Sequence, residues 1–186
     1  MRDLVAYQPD GWTSQTPPTL QHHSHALVAG SNHRLYLLDA ASEVFDGSMW
    51  RPLANPTVTR DSGAGVAQGG TILYIGGRGG PLTPLTNVDV LTTVDETWAP
   101  SKALAQGRLS PAVALDAFGH VLVMGGGNGS SALSSTEVYD SDWMSAGSLP
   151  GARVSGSAVT TPDGQVYFMG GEGGGPALDT VFTYCP

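Results

Sequence analysis

The chain has 186 residues, room for one domain or a piece of one. Hydrophobic residues make up 40% and charged residues only 13%, which excludes wholesale disorder. A net charge of −8 argues against a nucleic-acid surface, and no apolar run reaches the ~18 residues of a membrane span. Met1 to Asp10 lacks the basic-then-apolar pattern of a signal peptide, so the expectation is a soluble chain with neither leader nor membrane segment. The one cysteine, Cys185, excludes an internal disulfide. Glycine is abundant, 26 residues, without a three-residue period, so collagen is excluded.

The chain opens on DLVAYQPDGW, a short strand, a turn and a tryptophan. HHSHALVAGSNHRLYLLDA follows, then SEVFDGSMW. The same order returns as RDSGAGVAQGGTILYIGG with NVDVLTTVDETW, and as RLSPAVALDAFGHVLVMGG with STEVYDSDW. The last copy, RVSGSAVTTPDGQVYFMGG, ends in DTVFTYCP without a tryptophan. Glycine pairs end at Gly77, Gly126 and Gly171, spaced 49 and 45. Trp50, Trp98 and Trp143 are spaced 48 and 45, as are Arg60, Arg108 and Arg153. In the worn copy His22 takes the arginine place, and Asp39-Ala40 replaces Gly-Gly.

Each unit reads as strands. TILYI, HVLVM and QVYFM are continuous apolar runs of strand length, and QGG, DAFG and TPDG are tight turns. No window reads as an amphipathic helix. A unit of about 45 residues with four strands is a propeller blade, which must stack on others to bury its faces. The expected fold is therefore all-β, a propeller of about four blades of four antiparallel strands. It forms one domain over 1–186, with units at about 1–21 (partial), 22–59, 60–107, 108–152 and 153–186 (partial). Five third strands and four fourth strands are expected. Closing the ring joins the Trp12 strand to the C-terminal unit and leaves one third strand surplus; the alternative is an open fragment whose edges pair with another copy.

The order apolar run, Gly-Gly, loop, Val-x-x-Tyr-Asp, gap, Trp resembles the kelch repeat, strongly in the units beginning at Arg60, Arg108 and Arg153. The resemblance implies that the tryptophans wedge between blades and that one channel mouth receives an acidic peptide or another ligand. His22, Arg60, Arg108 and Arg153 precede the first strand of each unit, so they are expected to ring that mouth. Asn87, Ser135 and Thr180 form a second polar ring, with Ala41 in the worn unit. The competing reading pairs each arginine with a carboxylate or carbonyl of a neighbouring blade.

The functional expectation is a non-enzymatic propeller that binds a protein, a peptide or a small anion at the mouth. It needs no cofactor or metal and binds neither nucleic acid nor membrane; a homo-oligomer through unpaired blade edges is compatible. One alternative is a sugar-active kelch enzyme resembling the sialic-acid mutarotases, with Arg153 and Glu172 as its arginine and acid. Copper radical oxidases need a tyrosine–cysteine link, for which Cys185 is badly placed. The other alternative is a structural fragment that self-assembles. His23 and His25 share a strand face, but two imidazoles fall short of a stable metal site.

Overall fold

A computed structural model describes residues 4–9, 11–22, 24–81 and 83–184, so His23 and Cys185 lie outside the described residues. Seventeen strands run in chain order with no helix among the described residues. The hairpin of β1 (Leu4–Gln8) and β2 (Gly11–Gln15) comes first. Blade I is β3 (Ala26–Ala29), β4 (Leu35–Leu38), β5 (Glu43–Phe45) and β6 (Trp50–Pro52). Blade II is β7 (Ala64–Gln68), β8 (Thr71–Ile75), β9 (Val88–Thr92) and β10 (Thr97–Pro100). Blade III is β11 (Ala112–Leu115), β12 (Val121–Met124), β13 (Leu133–Tyr139) and β14 (Trp143–Arg153). Blade IV has three strands, β15 (Ser157–Thr160), β16 (Val166–Met169) and β17 (Val181–Tyr184). All pairings are antiparallel between sequence neighbours, with short turns between first and second strands and, in blades II to IV, longer loops between second and third. The result is a four-bladed β-propeller.

Three hydrophobic clusters hold the blades together. Val28, Tyr36 and Leu38 of blade I meet Ile72, Tyr74 and Leu91 of blade II. Leu73, Ile75 and Val88 of blade II meet Val121 and Val123 of blade III. Ala112, Leu122 and Met124 of blade III meet Val166 and Phe168 of blade IV. The apolar runs are continuous because both faces of an inner blade are covered. The first strands pack in a row, β3 on β7, β7 on β11 and β11 on β15, and β15 has no comparable packing on β3. The propeller is thus an open arc of four blades with three filled interfaces.

This corrects the expected closure. Among the described residues the Trp12 strand pairs with β1 alone, and blade IV shows three strands. A hairpin register is fixed by the close succession of its two strands, Gln8 pairing with Gly11, so β2 finds its sequence neighbour before a distant edge.

The inner strands are also tied through their backbones. Ser62 donates its N–H to Ser24 O, Ser110 to Ser62 O and Ser155 to Ser110 O, at 2.9, 2.8 and 3.1 Å. Ser62, Ser110 and Ser155 take positive φ (55°, 42° and 59°) to make this blade-to-blade chain.

Candidate functional site

The repeated arginines are explained by what they touch. Arg60 and Arg108 are buried, as is most of Arg153. Arg108 places all five of its N–H groups. Nε and Nη2 reach Glu137 Oε1 at 3.1 and 2.9 Å, Nη1 reaches Gly125 O and Ser135 O, and Nη2 reaches Ser135 Oγ. Arg60 Nη1 donates to Asp89 Oδ2 at 2.5 Å and Nη2 to Tyr74 O at 2.6 Å, with the guanidinium stacked 4.4 Å over the Tyr74 ring. His22 takes the same place in blade I, with Nε2 on Glu43 at 2.8 Å and Nδ1 on Asp39 at 3.2 Å.

Each carboxylate receives a second donor from three residues before its arginine or histidine. Ala105 N donates to Glu137, the Thr57 hydroxyl to Asp89, and both the N–H and the hydroxyl of Thr19 to Glu43. The carboxylate therefore clamps the crossover that enters its own blade. Each fourth-strand tryptophan pins a crossover too: Trp50 Nε1 donates to Thr16 O, Trp98 Nε1 to Ala54 O and Trp143 Nε1 to Lys102 O. Arginine and tryptophan share one period because both hold the same crossovers.

Blade IV departs on both sides of the clamp. Phe182 stands where the acids stand, and Pro150, which has no N–H, stands where the second donor stands. Arg153 instead lies 5.1 Å over the Phe182 ring and donates to Ala152 O and Thr180 Oγ1, not to Glu172. Arg153 and Glu172 therefore make no hydrogen bond to each other.

The structure consequently places the expected ring inside the blades instead of on the channel wall. The carboxylates belong to each arginine's own blade, not to a neighbour. In the second ring Ser135 and Thr180 serve the arginines, accepting from Arg108 and Arg153, whereas Asn87 accepts a backbone bond from Gly76 N. Ala41 lines a mouth hollow described below.

The mouth itself is built one residue further on. Asp61, Leu109 and Val154 follow the arginines, and Arg78, Gly127 and Glu172 follow the glycine pairs; they form backbone bridges Asp61–Arg78, Leu109–Gly127 and Val154–Glu172. These bridges lie at one end of the innermost strands, below the loops that lead to the third strands. Between blades I and II they open a hollow of ≈ 300 Å³ lined by Gln21, Ser24, Asp39, Ala40, Ala41, Asp61 and Arg78. Arg78 Nε donates to Asp61 Oδ1 at 2.7 Å. Among the described residues its two terminal nitrogens make no hydrogen bond, and its side chain is 40% exposed. Burial pushes the Asp61 carboxyl up, but hydrogen bonds from Ser62 and Arg78, with the Arg78 charge, outweigh it and hold the group below its ordinary value. Asp61 thus fixes one edge of the guanidinium and leaves the other edge without a hydrogen bond among the described residues.

Sequence reading missed Arg78 because periodicity selects positions that repeat. Its counterparts are Gly127 and Glu172. The signal was the variation itself: a loop base that differs from blade to blade serves no common structural need.

Glu43 supplies a pH prediction. Burial pushes its carboxyl up, yet hydrogen bonds from His22, the Thr19 hydroxyl and the Leu20 and Thr19 N–H groups together hold it below its ordinary value of 4.5. A lowered folded value stabilises fully above pH 4.5 and less as the pH falls through the folded value. Urea midpoints of the parent should therefore fall steeply below that pH. Those of Glu43→Gln should be lower at neutral pH and flatter in acid; parallel curves would contradict the assignment.

With the geometry in place, comparison with known proteins adds the fold class. The chain is similar to the solved structure of YjhT, with a TM-score of 0.83 and 14% sequence identity, over 96% of this chain and 71% of that one. At that identity the likeness shows a β-propeller and nothing finer. No family model and no curated protein matches the sequence. No helix among the described residues is long and apolar enough to cross a membrane.

Proposed function

We propose that the chain is a kelch-like, non-enzymatic binding propeller that receives an acidic peptide segment at its channel mouth. The observation that supports this most is Arg78, a half-exposed guanidinium braced by Asp61 whose two terminal nitrogens make no hydrogen bond among the described residues. A fixed planar fork of this kind matches a carboxylate in two-point fashion. The kelch assignment rests on the repeated order of apolar run, glycine pair, Val-x-x-Tyr-Asp and tryptophan. Arg60, Arg108 and His22 act at one remove, as positioning residues for the crossovers that carry the mouth.

The test is a panel of fluorescein-labelled decapeptides rich in Asp and Glu, with amide-matched Asn and Gln controls. Acidic members should bind and the controls should not. Arg78→Gln should weaken binding roughly tenfold, about 1.4 kcal/mol, without changing the melting temperature. Equal binding of acidic and neutral peptides, or an unchanged affinity in Arg78→Gln, would refute the site.

A further inference from the structure

The mouth carries two hollows of matching build. The one between blades I and II holds Arg78, with the small Ala41 on its wall. A second, of ≈ 250 Å³, lies between blades III and IV. It is lined by the bridged pairs Leu109–Gly127 and Val154–Glu172, with Ser130 and Ser131 beside them. In each hollow a small residue of the earlier blade, Ala41 or Gly127, leaves room beside the charged residue of the later one. Arg78 and Glu172 hold the same place in the repeat, directly after a glycine pair. Each is bridged through its backbone to the residue that follows its blade's arginine. Their charges are opposite.

Glu172 differs from the other acids at the mouth. Asp61 is engaged by Arg78 and Ser62, and Asp39 by His22 and the Ala40 N–H. The Glu172 residue is exposed, and among the described residues its carboxylate makes no hydrogen bond or ion pair. Its backbone alone is tied down, exchanging two hydrogen bonds with Val154. The turn beside it is fixed in advance. Asn128 Oδ1 accepts from the N–H and the hydroxyl of both Ser130 and Ser131, which leaves the two hydroxyl oxygens able to accept. A hollow built of one carboxylate and hydroxyl oxygens suits a group that only donates, an ammonium or a guanidinium.

We infer that the segment received at the mouth carries a basic side chain as well as an acidic one, the acid on Arg78 and the base in the Glu172 hollow. This rests on reading the mouth as a peptide site and adds the second half of its specificity. The fold sets the spacing. Ser62, Ser110 and Ser155 are hydrogen-bonded in series, so blades II and IV stand two strand spacings apart at this level, ~10 Å. Side chains of an extended segment share a face at even spacings. Two and four residues span ~7 and ~13 Å, which bracket that gap. Glu172 also repels a second acid, so the mouth selects mixed-charge segments over uniformly acidic ones.

Fluorescence titrations with labelled decapeptides test this. Each peptide carries one glutamate and, two or four residues along, either lysine or glutamine. The parent should bind the lysine peptide of the better spacing roughly threefold tighter than its glutamine counterpart, the size of a half-exposed ion pair. Glu172→Gln should erase that difference and leave the melting temperature unchanged, since only the backbone of this residue holds the blade. Glu172→Lys should invert the preference. A lysine that gains nothing in the parent, or a gain that persists in Glu172→Gln, overturns this inference and leaves the acidic-peptide reading standing. Failure of every peptide to bind, the glutamine ones included, removes that reading and this inference with it.

Discussion

Arg108→Ala should lower the unfolding free energy by about 3–5 kcal/mol, the range for breaking a buried ion pair by removing one partner. The loss has three sources. Glu137 keeps a buried charge with only Ala105 N to answer it. Gly125 O and Ser135 O lose a charged donor. The crossover into blade III loses its anchor. Domains of this kind are stable by only ~5–15 kcal/mol, so the change is a large part of the total. Arg108→Met combined with Glu137→Leu should recover most of it, because an apolar pair of similar volume avoids the unpaired charge. Urea unfolding of the two variants decides the matter: a single variant within about 1 kcal/mol of the parent would show that the clamp does not hold the blade.

The second large effect lies at the glycine pairs. A β-carbon on Gly125 would stand 2.5 Å from Arg153 O and 3.3 Å from Leu133 O, both backbone atoms, at a φ of +61°. Neither carbonyl can move freely, since Arg153 O already accepts the Gly126 N–H at 2.7 Å across the blade III–IV junction. Gly125→Ala should therefore lose about 3 kcal/mol or more, from left-handed strain of ~1–2 kcal/mol plus overpacking of ~1–3 kcal/mol. Gly119→Ala is the internal control. That glycine also has a positive φ, +83°, but faces open space, so only the strain should register. Equal losses at the two positions would mean that conformation alone, not the close approach of blades, explains the glycine pairs.

Much of the fold was legible because it repeats. TILYI, HVLVM and QVYFM became β8, β12 and β16, and Trp98 and Trp143 pack against the inter-blade clusters as the kelch resemblance implied. The arginine environment was legible in part. Asp89 and Glu137 lie two residues beyond Asn87 and Ser135, on the same strand face, and Glu43 holds the matching place in blade I. Reading that column would have paired each basic residue with an acid and flagged Phe182 with Pro150 as a joint loss. Spacing places a residue at the start of an inner strand but does not say whether its side chain turns to the channel or into the blade. A guanidinium within reach of a buried carboxylate turns inward, because leaving that acid unpaired is expensive. The closure was illegible for another reason: β17 and β1 are both plausible neighbours of β2 by pattern, and chain proximity decided between them.

The residues that repeat hold the blades, whereas the mouth arginine that does not repeat, Arg78, is the one we propose to meet the ligand. One titration series tests that division. The acidic peptide is titrated into the parent, into Arg78→Gln, and into the apolar clamp replacement Arg108→Met with Glu137→Leu. Binding should survive the clamp replacement and fall roughly tenfold, about 1.4 kcal/mol, in Arg78→Gln. Loss of binding on replacing Arg108 in a folded protein, with Arg78→Gln unaffected, would contradict it.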